Sequence, residues 1–258
     1  MLAKERQNQI LKMLQKEGAV TAAGLVERFE VSMETVRRDL LPLEQNGLLT
    51  RVHGGAVTGG EMKLFRDLAH RNQEYHEQKR ELARNALQCV SEGDYIAIDA
   101  GSTAVAFAEA LKERFSKLTV VTYCLDVCEI LRDHGQMEVI LCGGHYMKGE
   151  NSFYGELTLE MLDKLHVQKA FVFPSAISLE FGICDYQRDF YMLQKKLMSI
   201  SDNVYILADS SKFEKKALLK LDEMKPEYGY VTDSGLSAEL KKLYQENQIT
   251  IINGGEAQ

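Results

Sequence analysis

The sequence predicts an α/β protein in two parts: a small N-terminal winged helix-turn-helix unit and a larger α/β domain with a mainly parallel sheet. Two patterns predict this fold class. Residues 1–57 hold three helical patterns followed by a short alternating segment that ends in a Gly-Gly turn. From Tyr95 onward, short apolar runs alternate with helical patterns, which is typical of βαβ units. We therefore expect domains at residues 1–57 and 79–258, joined by a linker at residues 58–78.

The first part contains the start signals of three short helices. Ile10 and Leu14 share one face of the first helix, and Thr21 can cap the second. Ser32, a favoured N-cap residue, begins a third helix that we expect to run to about Gln45. One face of this helix carries an apolar stripe that we expect to be buried: Met33, Val36, Leu40 and Leu43. The residues that follow alternate weakly, like the strand of a wing.

The opposite face of the third helix predicts a contact with nucleic acid. Arg37 and Arg38 lie on this face, and the forked guanidinium of arginine suits both phosphates and the guanine edge in the major groove. Ser32 and Thr35 lie near the helix N-terminus, where base edges or a phosphate would lie. From the spacing alone, a solvated helix face is the alternative interpretation of the paired arginines.

The distribution of charge confines such a contact to the N-terminal part. Residues 1–57 contain eight Lys or Arg and seven Asp or Glu, whereas the rest of the chain contains 23 and 31. Because an acidic surface repels phosphates, the larger part is a poor candidate for nucleic-acid binding.

Other features of the composition concern the compartment. No apolar run is long enough to span a bilayer, and the N-terminus is charged rather than uniformly apolar. Five cysteines, an odd number in a chain of this length, do not suggest a disulfide framework. We therefore expect a cytoplasmic protein with reduced thiols and no membrane partner.

The larger part has the alternation expected of a parallel sheet covered by helices. Its predicted strands are Tyr95–Asp99, Leu118–Thr122, Met137–Cys142, Lys169–Phe173, Asn203–Ala208, Tyr228–Thr232 and Ile249–Ile252. Its predicted helices include Thr103–Arg114, Leu125–Asp133, Glu156–Leu165, Phe190–Ile200 and Ser237–Asn247. Ligands bind such sheets at the carboxyl ends of the strands, so the turns after the strands are the candidate ligand site.

Two of these turns are chemically suggestive. In the first, Gly101 permits close approach of a ligand, while Ser102, Thr103 and the N–H groups at the helix start favour an anion. Asp99 can accept a hydrogen bond from a sugar hydroxyl. In the second turn, Lys212 supplies a positive charge suited to a phosphate. The alternative is that Asp99 and Ser102 only cap the helix. Neither GxxxxGK[ST] nor GxGxxG is present, which disfavours nucleotide triphosphates and dinucleotides.

The N-terminal residues resemble a known family. The stretches VSMETVRRDLLPLEQNGLL and RVHGGA look like the N-terminal winged helix-turn-helix of DeoR-family transcriptional regulators. The resemblance implies that the third helix contacts DNA through Ser32, Thr35, Arg37 and Arg38. It also implies that Arg51 and His53 touch the DNA backbone or the minor groove from the wing.

The larger part resembles the DeoR-type sensor domain. The stretches that carry this resemblance are KRELARNALQCVSEGDYIAIDAGSTAVAFAEAL, LTVVT, LCGG, FYGELTLEML and LADSSKFEKKAL, in the expected order. That domain is similar to the folds of ribose-5-phosphate isomerase and CoA-transferases, and its usual ligand is a phosphorylated sugar or a related metabolite. The resemblance implies an effector site in which Asp99, Gly101, Ser102 and Thr103 lie at the phosphate or sugar and Lys212 completes the anion site.

The chain departs from the family pattern at three places in this part. Tyr123 and Cys124 stand where the family usually has Asn-Ser, Gln168 replaces an Asp, and Pro174 begins a segment that replaces a Gly-rich turn. We expect these residues to reshape the wall of the pocket, so that the effector is larger, less polar, of another class, or lost.

Metal binding is the less favoured interpretation of the thiols and imidazoles. Cys124 and Cys128 are four residues apart and Cys142 follows the next predicted strand, but small apolar core residues explain them as well. His70 and His76 have no matching ligand at close spacing. We expect no metal, no cofactor and no catalytic residue.

Together these features predict a repressor of a carbohydrate-metabolism operon. It would bind double-stranded operator DNA as a homo-oligomer, a dimer or a tetramer, under the control of a phosphorylated sugar or related metabolite. Two alternatives stay open. One is a sugar-phosphate isomerase with Asp99, Glu180 or Asp185 as its base. The other is a DNA-binding regulator without a small-molecule effector, whose larger domain serves only for assembly.

Overall fold

The chain folds as two compact units, Met1–Arg66 and Asp67–Gln258. The structure, a computed structural model, describes residues 3–17, 19–45, 48–52, 54–57 and 68–254. The division falls inside the predicted linker at residues 58–78. The second unit thus begins before residue 79, and Leu68–Gln73 of the predicted linker form a helix within it.

The first unit combines three helices with a three-stranded antiparallel sheet. Its helices are α1 (Ala3–Glu17), α2 (Ala22–Phe29) and α3 (Met33–Gln45). Its strands are β1 (Ala19–Thr21), β2 (Thr50–Val52) and β3 (Gly55–Val57), in the order β1-β3-β2. The hairpin of β2 and β3 is the predicted wing, and β1 is a strand that the sequence did not predict. The predicted helix-turn-helix arrangement is confirmed.

Side-chain caps set the helix boundaries in this unit. The Thr21 hydroxyl accepts a hydrogen bond from the Gly24 N–H at 3.1 Å, which confirms Thr21 as the cap of α2. Glu30, in the left-handed conformation with φ 52°, then ends this helix. The Ser32 hydroxyl accepts from the Thr35 N–H at 3.1 Å and starts α3 as predicted.

The apolar stripe on α3 is buried except at its end. Val36, Leu40 and Leu43 belong to the core of the first unit, together with residues of α1 and α2 such as Ile10 and Leu25. Met33 is 41% exposed. The expectation of a buried Met33 is wrong because this residue begins the helix, where the stripe extends past the buried cluster.

The second unit contains seven described helices and the remaining strands. The helices are α4 (Leu68–Gln73), α5 (His76–Ala86), α6 (Ser102–Arg114), α7 (Leu125–Leu131), α8 (Glu156–Leu162), α9 (Arg188–Ser199) and α10 (Ala238–Glu246). Within the described ranges of the whole chain, no helix has the length and apolar character to cross a bilayer.

The strands of this unit are β4 (Tyr95–Ile98), β5 (Thr119–Thr122), β6 (Glu138–Leu141), β7 (His145–Met147), β8 (Ser152–Tyr154), β9 (Val167–Val172), β10 (Ala176–Ser178), β11 (Gly182–Asp185), β12 (Ser201–Leu207), β13 (Leu219–Asp222), β14 (Gly229–Val231) and β15 (Ile251–Ile252). Seven of them form one parallel sheet in the order β15-β14-β12-β9-β4-β5-β6. All seven predicted strands lie in this sheet, so the predicted fold class is confirmed.

The order of the strands places the candidate ligand site. From β4 the sheet grows through β5 and β6 in one direction, whereas β9, β12, β14 and β15 extend it in the other. In open parallel sheets, a ligand binds outside the carboxyl ends of the strands at the point where the order reverses. Here that point lies between β4 and β9, and therefore between residues 99–103 and residues 173–175.

Two smaller antiparallel sheets complete the unit. They are the hairpin of β7 and β8 and the sheet β10-β11-β13. Their strands have three or four residues, too few alternations for a pattern to distinguish them from turns. The sequence therefore did not predict them.

Candidate functional site

The exposed face of α3 presents the two predicted arginines. The side chains of Arg37 and Arg38 are 68% and 80% exposed, and they lie 4.0 and 3.8 Å from the carboxylate of Glu34. Exposed ion pairs of this length contribute little to stability, so a phosphate or a base edge can replace the carboxylate. At the N-terminus of the same helix, the hydroxyls of Ser32 and Thr35 lie 2.9 Å apart.

The wing presents a partly engaged arginine. Arg51, in β2, donates from Nε to Glu44 Oε2 at 2.5 Å and from its main-chain N–H to Glu44 Oε1 at 3.1 Å. The hydrogen bond from the Arg51 side chain lowers the pKa of Glu44. His53, the other predicted wing residue, lies outside the described residues.

The predicted anion-binding turn follows β4. Gly101 has φ +118°, a conformation that L side chains rarely adopt, and it is the N-cap of α6 without a side-chain cap hydrogen bond. The first N–H groups of a helix lack intrahelical partners and carry partial positive charge. Ser102 and Thr103, both buried, begin the helix. This helix start therefore has the geometry that favours an anion.

Three cations converge on this turn. A Cβ atom placed on Gly101 would lie 3.5 Å from Arg71 Nη1. The Nζ of Lys212 donates to the Pro174 carbonyl at 2.8 Å. The buried Lys79 donates to the carbonyls of Arg71 and Glu74, the latter at 2.6 Å.

The pKa values of the two lysines are lowered mainly by burial and also by neighbouring positive charges. Burial, and then the charge of Lys212, lowers the pKa of Lys79 to about 8. Burial also lowers the pKa of Lys212, a shift that Asp209 opposes and Arg71 strengthens. An anion among these three groups would offset their repulsion.

Asp99 is placed beneath the turn rather than in its opening. Its carboxylate is fully buried and accepts hydrogen bonds from the Tyr123 hydroxyl, the Ala100 N–H, the Phe173 N–H and Gln194 Nε2. Burial raises its pKa to about 6 against the effect of these donors. The predicted bond from Asp99 to a sugar hydroxyl would compete with four protein donors.

A glutamine links this carboxylate to a second one. Gln194 Nε2 donates to Asp99 Oδ2 and to Asp185 Oδ2, both at 3.0 Å. Asp185 also accepts from the Ser175 hydroxyl at 3.0 Å. Residues 173–175 are therefore tied to two buried carboxylates and, through the Pro174 carbonyl, to Lys212.

The family departures lie at different places relative to this turn. Tyr123 and Pro174 contact groups of the site through Asp99 and Lys212. Gln168 lies near the start of β9, about 16 Å along the strand from Phe173, and its side chain accepts from the Tyr95 N–H. Gln168 therefore lies at the end of β9 opposite the candidate site, and not beside Tyr123 and Pro174 as expected.

Arg71, Lys79 and Gln194 are site residues that the sequence reasoning missed. For two of them a signal existed. Lys79 occupies the buried stripe of α5 together with Leu82, Ala83 and Ala86, and Gln194 shares the buried stripe of α9 with Phe190, Leu193 and Leu197. A polar residue within an apolar stripe is expensive to bury unless it is paired, so it marks a position with a specific role. For Arg71 the sequence offered only its charge.

Within the part of the chain that the structure describes, the cysteines and histidines form no candidate metal site. All five cysteines are free; Cys124 and Cys142 are buried in the main core and Cys128 is half-buried. Burial raises the pKa of Cys124 and of Cys128, so these thiols are less reactive than usual. Among the described residues, no three Cys, His, Asp or Glu side chains are grouped as metal ligands.

Comparisons with known proteins identify the two domains of the chain. Residues 6–59 match the family model of the DeoR-like helix-turn-helix domain, and residues 74–234 match that of the DeoR C-terminal sensor domain. The chain is similar to the L-fucose operon activator of Haemophilus influenzae, with 31% identity over 96% of this chain and 98% of that protein. It is also similar to the lactose phosphotransferase system repressor of Streptococcus mutans, with 32% identity over 96% of this chain and 99% of the repressor.

Among solved structures, ribose 5-phosphate isomerase A from Neisseria gonorrhoeae is similar at 22% identity with a TM-score of 0.40. The alignment covers 52% of each chain, so this chain spans about half the length of the isomerase. The two family models together match most of both units, over residues 6–59 and 74–234. The chain belongs to the DeoR family of transcriptional regulators, with an N-terminal helix-turn-helix domain and a C-terminal sensor domain.

Proposed function

We propose that this protein is a sequence-specific DNA-binding repressor of a carbohydrate-metabolism operon, controlled by a phosphorylated sugar or a related anion. In this proposal residues 1–57 bind operator DNA, and residues 79–258, with α4, bind the effector and form the oligomer contacts. The observation that carries it is the exposed arginine pair on α3 beside a capped helix N-terminus. That arrangement matches the recognition helix of helix-turn-helix proteins, which enters the major groove with its N-terminal residues at the bases.

Each predicted DNA-contacting residue has a role in this proposal. Arg37 and Arg38 reach guanine edges or phosphates, whereas Ser32 and Thr35 contact the bases or backbone at the helix start. Arg51 touches the DNA backbone or minor groove from the wing, and Glu44 orients its guanidinium until DNA is bound. Like Arg51, His53 is proposed to touch the DNA backbone or the minor groove from the wing.

For the effector we propose a phosphate group at the start of α6. Gly101 lets the phosphate approach the first N–H groups of the helix, with Ser102 and Thr103 beside it, and Lys212, Lys79 and Arg71 supply the positive charge. Asp99 serves in this proposal as a buried support for the turn. The uncapped start of α6, with Arg71 beside Gly101 and Lys212 at the Pro174 carbonyl, supports an anionic ligand.

The names of the relatives support a carbohydrate-related operon. One is an L-fucose operon activator and another is a lactose phosphotransferase system repressor. The relatives therefore include both an activator and a repressor of transcription. We propose repression for this chain, with the effector shifting the population between two arrangements of different DNA affinity. A coupling of about 1–3 kcal/mol would change that affinity about 5- to 150-fold.

Selection of fragmented genomic DNA by the purified protein at physiological salt tests the DNA part. Non-specific phosphate attraction is weak under these conditions, so a sharp set of enriched sites is the expected result. The genes beside those sites nominate the sugar phosphates for thermal-shift assays. Absence of enrichment, with and without sugar phosphates, would contradict the proposal. The mass of the complex between the protein and operator DNA then tests whether a dimer or a tetramer binds.

The isomerase alternative is less well supported. Asp99 and Asp185 are buried and engaged by several donors, and Glu180 is 81% exposed beside Lys216 at 2.7 Å. The pKa of Asp99, about 6, lies in the range of a general base, but both of its oxygens already accept hydrogen bonds from protein donors. We propose that the second unit binds its ligand without turnover. Conversion of ribose 5-phosphate by the purified chain would contradict this.

A regulator without an effector is the other alternative. Tyr123 and Pro174 differ from the family pattern at the site, which keeps this alternative relevant. A ligand at about 100 times its dissociation constant adds about 2.7 kcal/mol to the free energy of unfolding. No thermal shift with any member of a sugar-phosphate panel would favour the alternative.

A further inference from the structure

We propose that Glu150 is a positioning residue for the effector site: it holds the guanidinium of Arg71 so that Nη1 faces Gly101 and the start of α6. This inference rests on the proposed function, in which an anion binds at that helix start. Glu150 itself would not contact the anion.

The ion pair has a geometry suited to this role. Arg71 Nη2 donates to Glu150 Oε2 across 79 positions of sequence. The side chain of Glu150 is only 3% exposed and that of Arg71 is 22% exposed. Nη2 of Arg71 faces Glu150 and Nη1 faces Gly101. The planar guanidinium can therefore bind the carboxylate and an anion at the same time.

The backbone that carries Glu150 is anchored on several sides. The Ser152 hydroxyl donates to the Glu150 carbonyl at 2.8 Å. The next residue, Asn151, accepts at its carbonyl from the Leu125 N–H at 2.9 Å and donates from Nδ2 to Asp126 at 2.6 Å. The turn is thus fixed to the start of α7. A carboxylate on such a support can define the position of its partner.

The backbone of Arg71 is held as well. Lys79 donates to the carbonyl of Arg71 and, at 2.6 Å, to that of Glu74, at the end of α4. The arginine is therefore held at its main chain by Lys79 and at its guanidinium by Glu150. A side chain ordered in advance loses less conformational entropy when a ligand binds.

Because Glu150 is negatively charged, the proposal can be tested by whether its removal strengthens or weakens anion binding. A buried carboxylate repels a nearby anion, so its removal would strengthen anion binding if charge alone mattered. If Glu150 acts by positioning Arg71, its removal weakens anion binding while Arg71 is present. Without Arg71, Glu150 has no guanidinium to position, and we expect that its removal no longer weakens binding.

The experiment titrates the full-length protein with inorganic phosphate and follows thermal unfolding of the second unit. We expect E150Q to raise the dissociation constant for phosphate about tenfold, as loss of a supporting hydrogen bond to a ligand-binding group typically does. In the R71A background, the E150Q change is expected to leave the dissociation constant equal or lower.

The matched control is D94N. Asp94 pairs with Lys169 at 2.5 Å in another partly buried ion pair of the same unit, but it precedes β4, whereas Gly101 follows this strand. We expect D94N to lower stability without changing the dissociation constant for phosphate.

Three results would overturn the proposal. The positioning role would be contradicted if E150Q binds phosphate like the wild type, or if E150Q weakens binding equally with and without Arg71. Either result would leave the proposed effector site intact. If the wild type shows no response to phosphate, the proposed effector site fails and this inference with it. Should E150Q not fold, R71K replaces it: a lysine keeps the charge but lacks the fork, so we expect about tenfold weaker binding, and unchanged binding would overturn the proposal.

Discussion

The hydroxyl of Tyr123 donates a hydrogen bond to Oδ1 of Asp99, and both residues are fully buried. The Tyr123 hydroxyl stabilises the charged form of a carboxylate whose burial raises its pKa. Gln194 bonds the other oxygen of Asp99 and links it to Asp185. Tyr123 is therefore part of the buried network that lies next to the proposed effector site.

We expect Tyr123→Phe to destabilise the protein more at pH 7.5 than at pH 5. Burial raises the pKa of Asp99 to about 6 from the ordinary value of 3.8. The folded state therefore holds more protons than the unfolded state between these values, and the contribution of Asp99 to stability falls as pH rises through that range. Loss of the Tyr123 donor raises this pKa further and costs about 1.5–3 kcal/mol while Asp99 is ionised.

Urea unfolding at the two pH values measures this difference. Tyr146→Phe is the matched control, since the exposed Tyr146 hydroxyl bonds the neutral Asn151 at 2.7 Å. Its effect is expected to be the same at both pH values. An equal loss of stability at pH 5 and pH 7.5 in Tyr123→Phe would contradict the role given to Asp99 ionisation.

Arg38→Ala is expected to weaken operator binding about 5- to 150-fold without unfolding the first unit. The side chain is 80% exposed and makes only a 3.8 Å contact with Glu34, so its removal costs little stability. Loss of a base contact costs about 1–3 kcal/mol of binding free energy and relaxes specificity at one position. Gel-shift titration with a selected operator measures the loss.

Arg132→Ala in the second unit is the control for the change in net charge, because Arg132 is also exposed and weakly paired, with Asp133 at 3.2 Å. It should bind the operator like the wild type. Tight, sequence-specific binding retained by Arg38→Ala would contradict the assignment of α3 as the reading helix.

Gly101→Ala is expected to lower stability by about 1–3 kcal/mol and to weaken phosphate binding. The cost comes from the backbone, because φ +118° is a conformation that non-glycine residues rarely adopt. Crowding contributes less, since the nearest atom to the added Cβ, Arg71 Nη1, lies at 3.5 Å. Gly149→Ala is the control, with negative φ and no atom within 4 Å of its Cβ. Equal stabilities of the two variants in urea would be inconsistent with strain at Gly101.

Sulfate binding is expected to weaken as the pH rises from 7 to 9. Sulfate stays doubly negative over this range, so a change in its affinity reports on the protonation of the protein. Burial lowers the pKa of Lys79 to about 8, and the lysine loses its positive charge across this window. Lys79→Met should bind sulfate more weakly at pH 7 and show a smaller pH dependence, because only Lys212 is left to titrate with a lowered pKa. Calorimetric titration measures both. A pH dependence unchanged in Lys79→Met would exclude this lysine from the anion site.

Much of the fold could be predicted because local patterns and tertiary structure agree. The caps Thr21 and Ser32 act within one helical turn, and the strands of the main sheet are apolar because helices cover the sheet. Such signals involve residues close in sequence, or a whole apolar segment. They identified both parts of the chain and the turn at Gly101.

The sequence by itself thus determined the two-part fold class, the arginine pair on α3 and the glycine turn after β4. Only the tertiary structure decided which groups join that turn. Arg71 reaches Glu150 across 79 positions, and Gln194 reaches Asp99 across 95. Contacts over such separations leave no periodicity, because they depend on strand order and not on spacing along the chain. For the same reason, the sequence could not show that Gln168 bonds Tyr95, at the end of β9 opposite the candidate site, or that Tyr123 bonds Asp99.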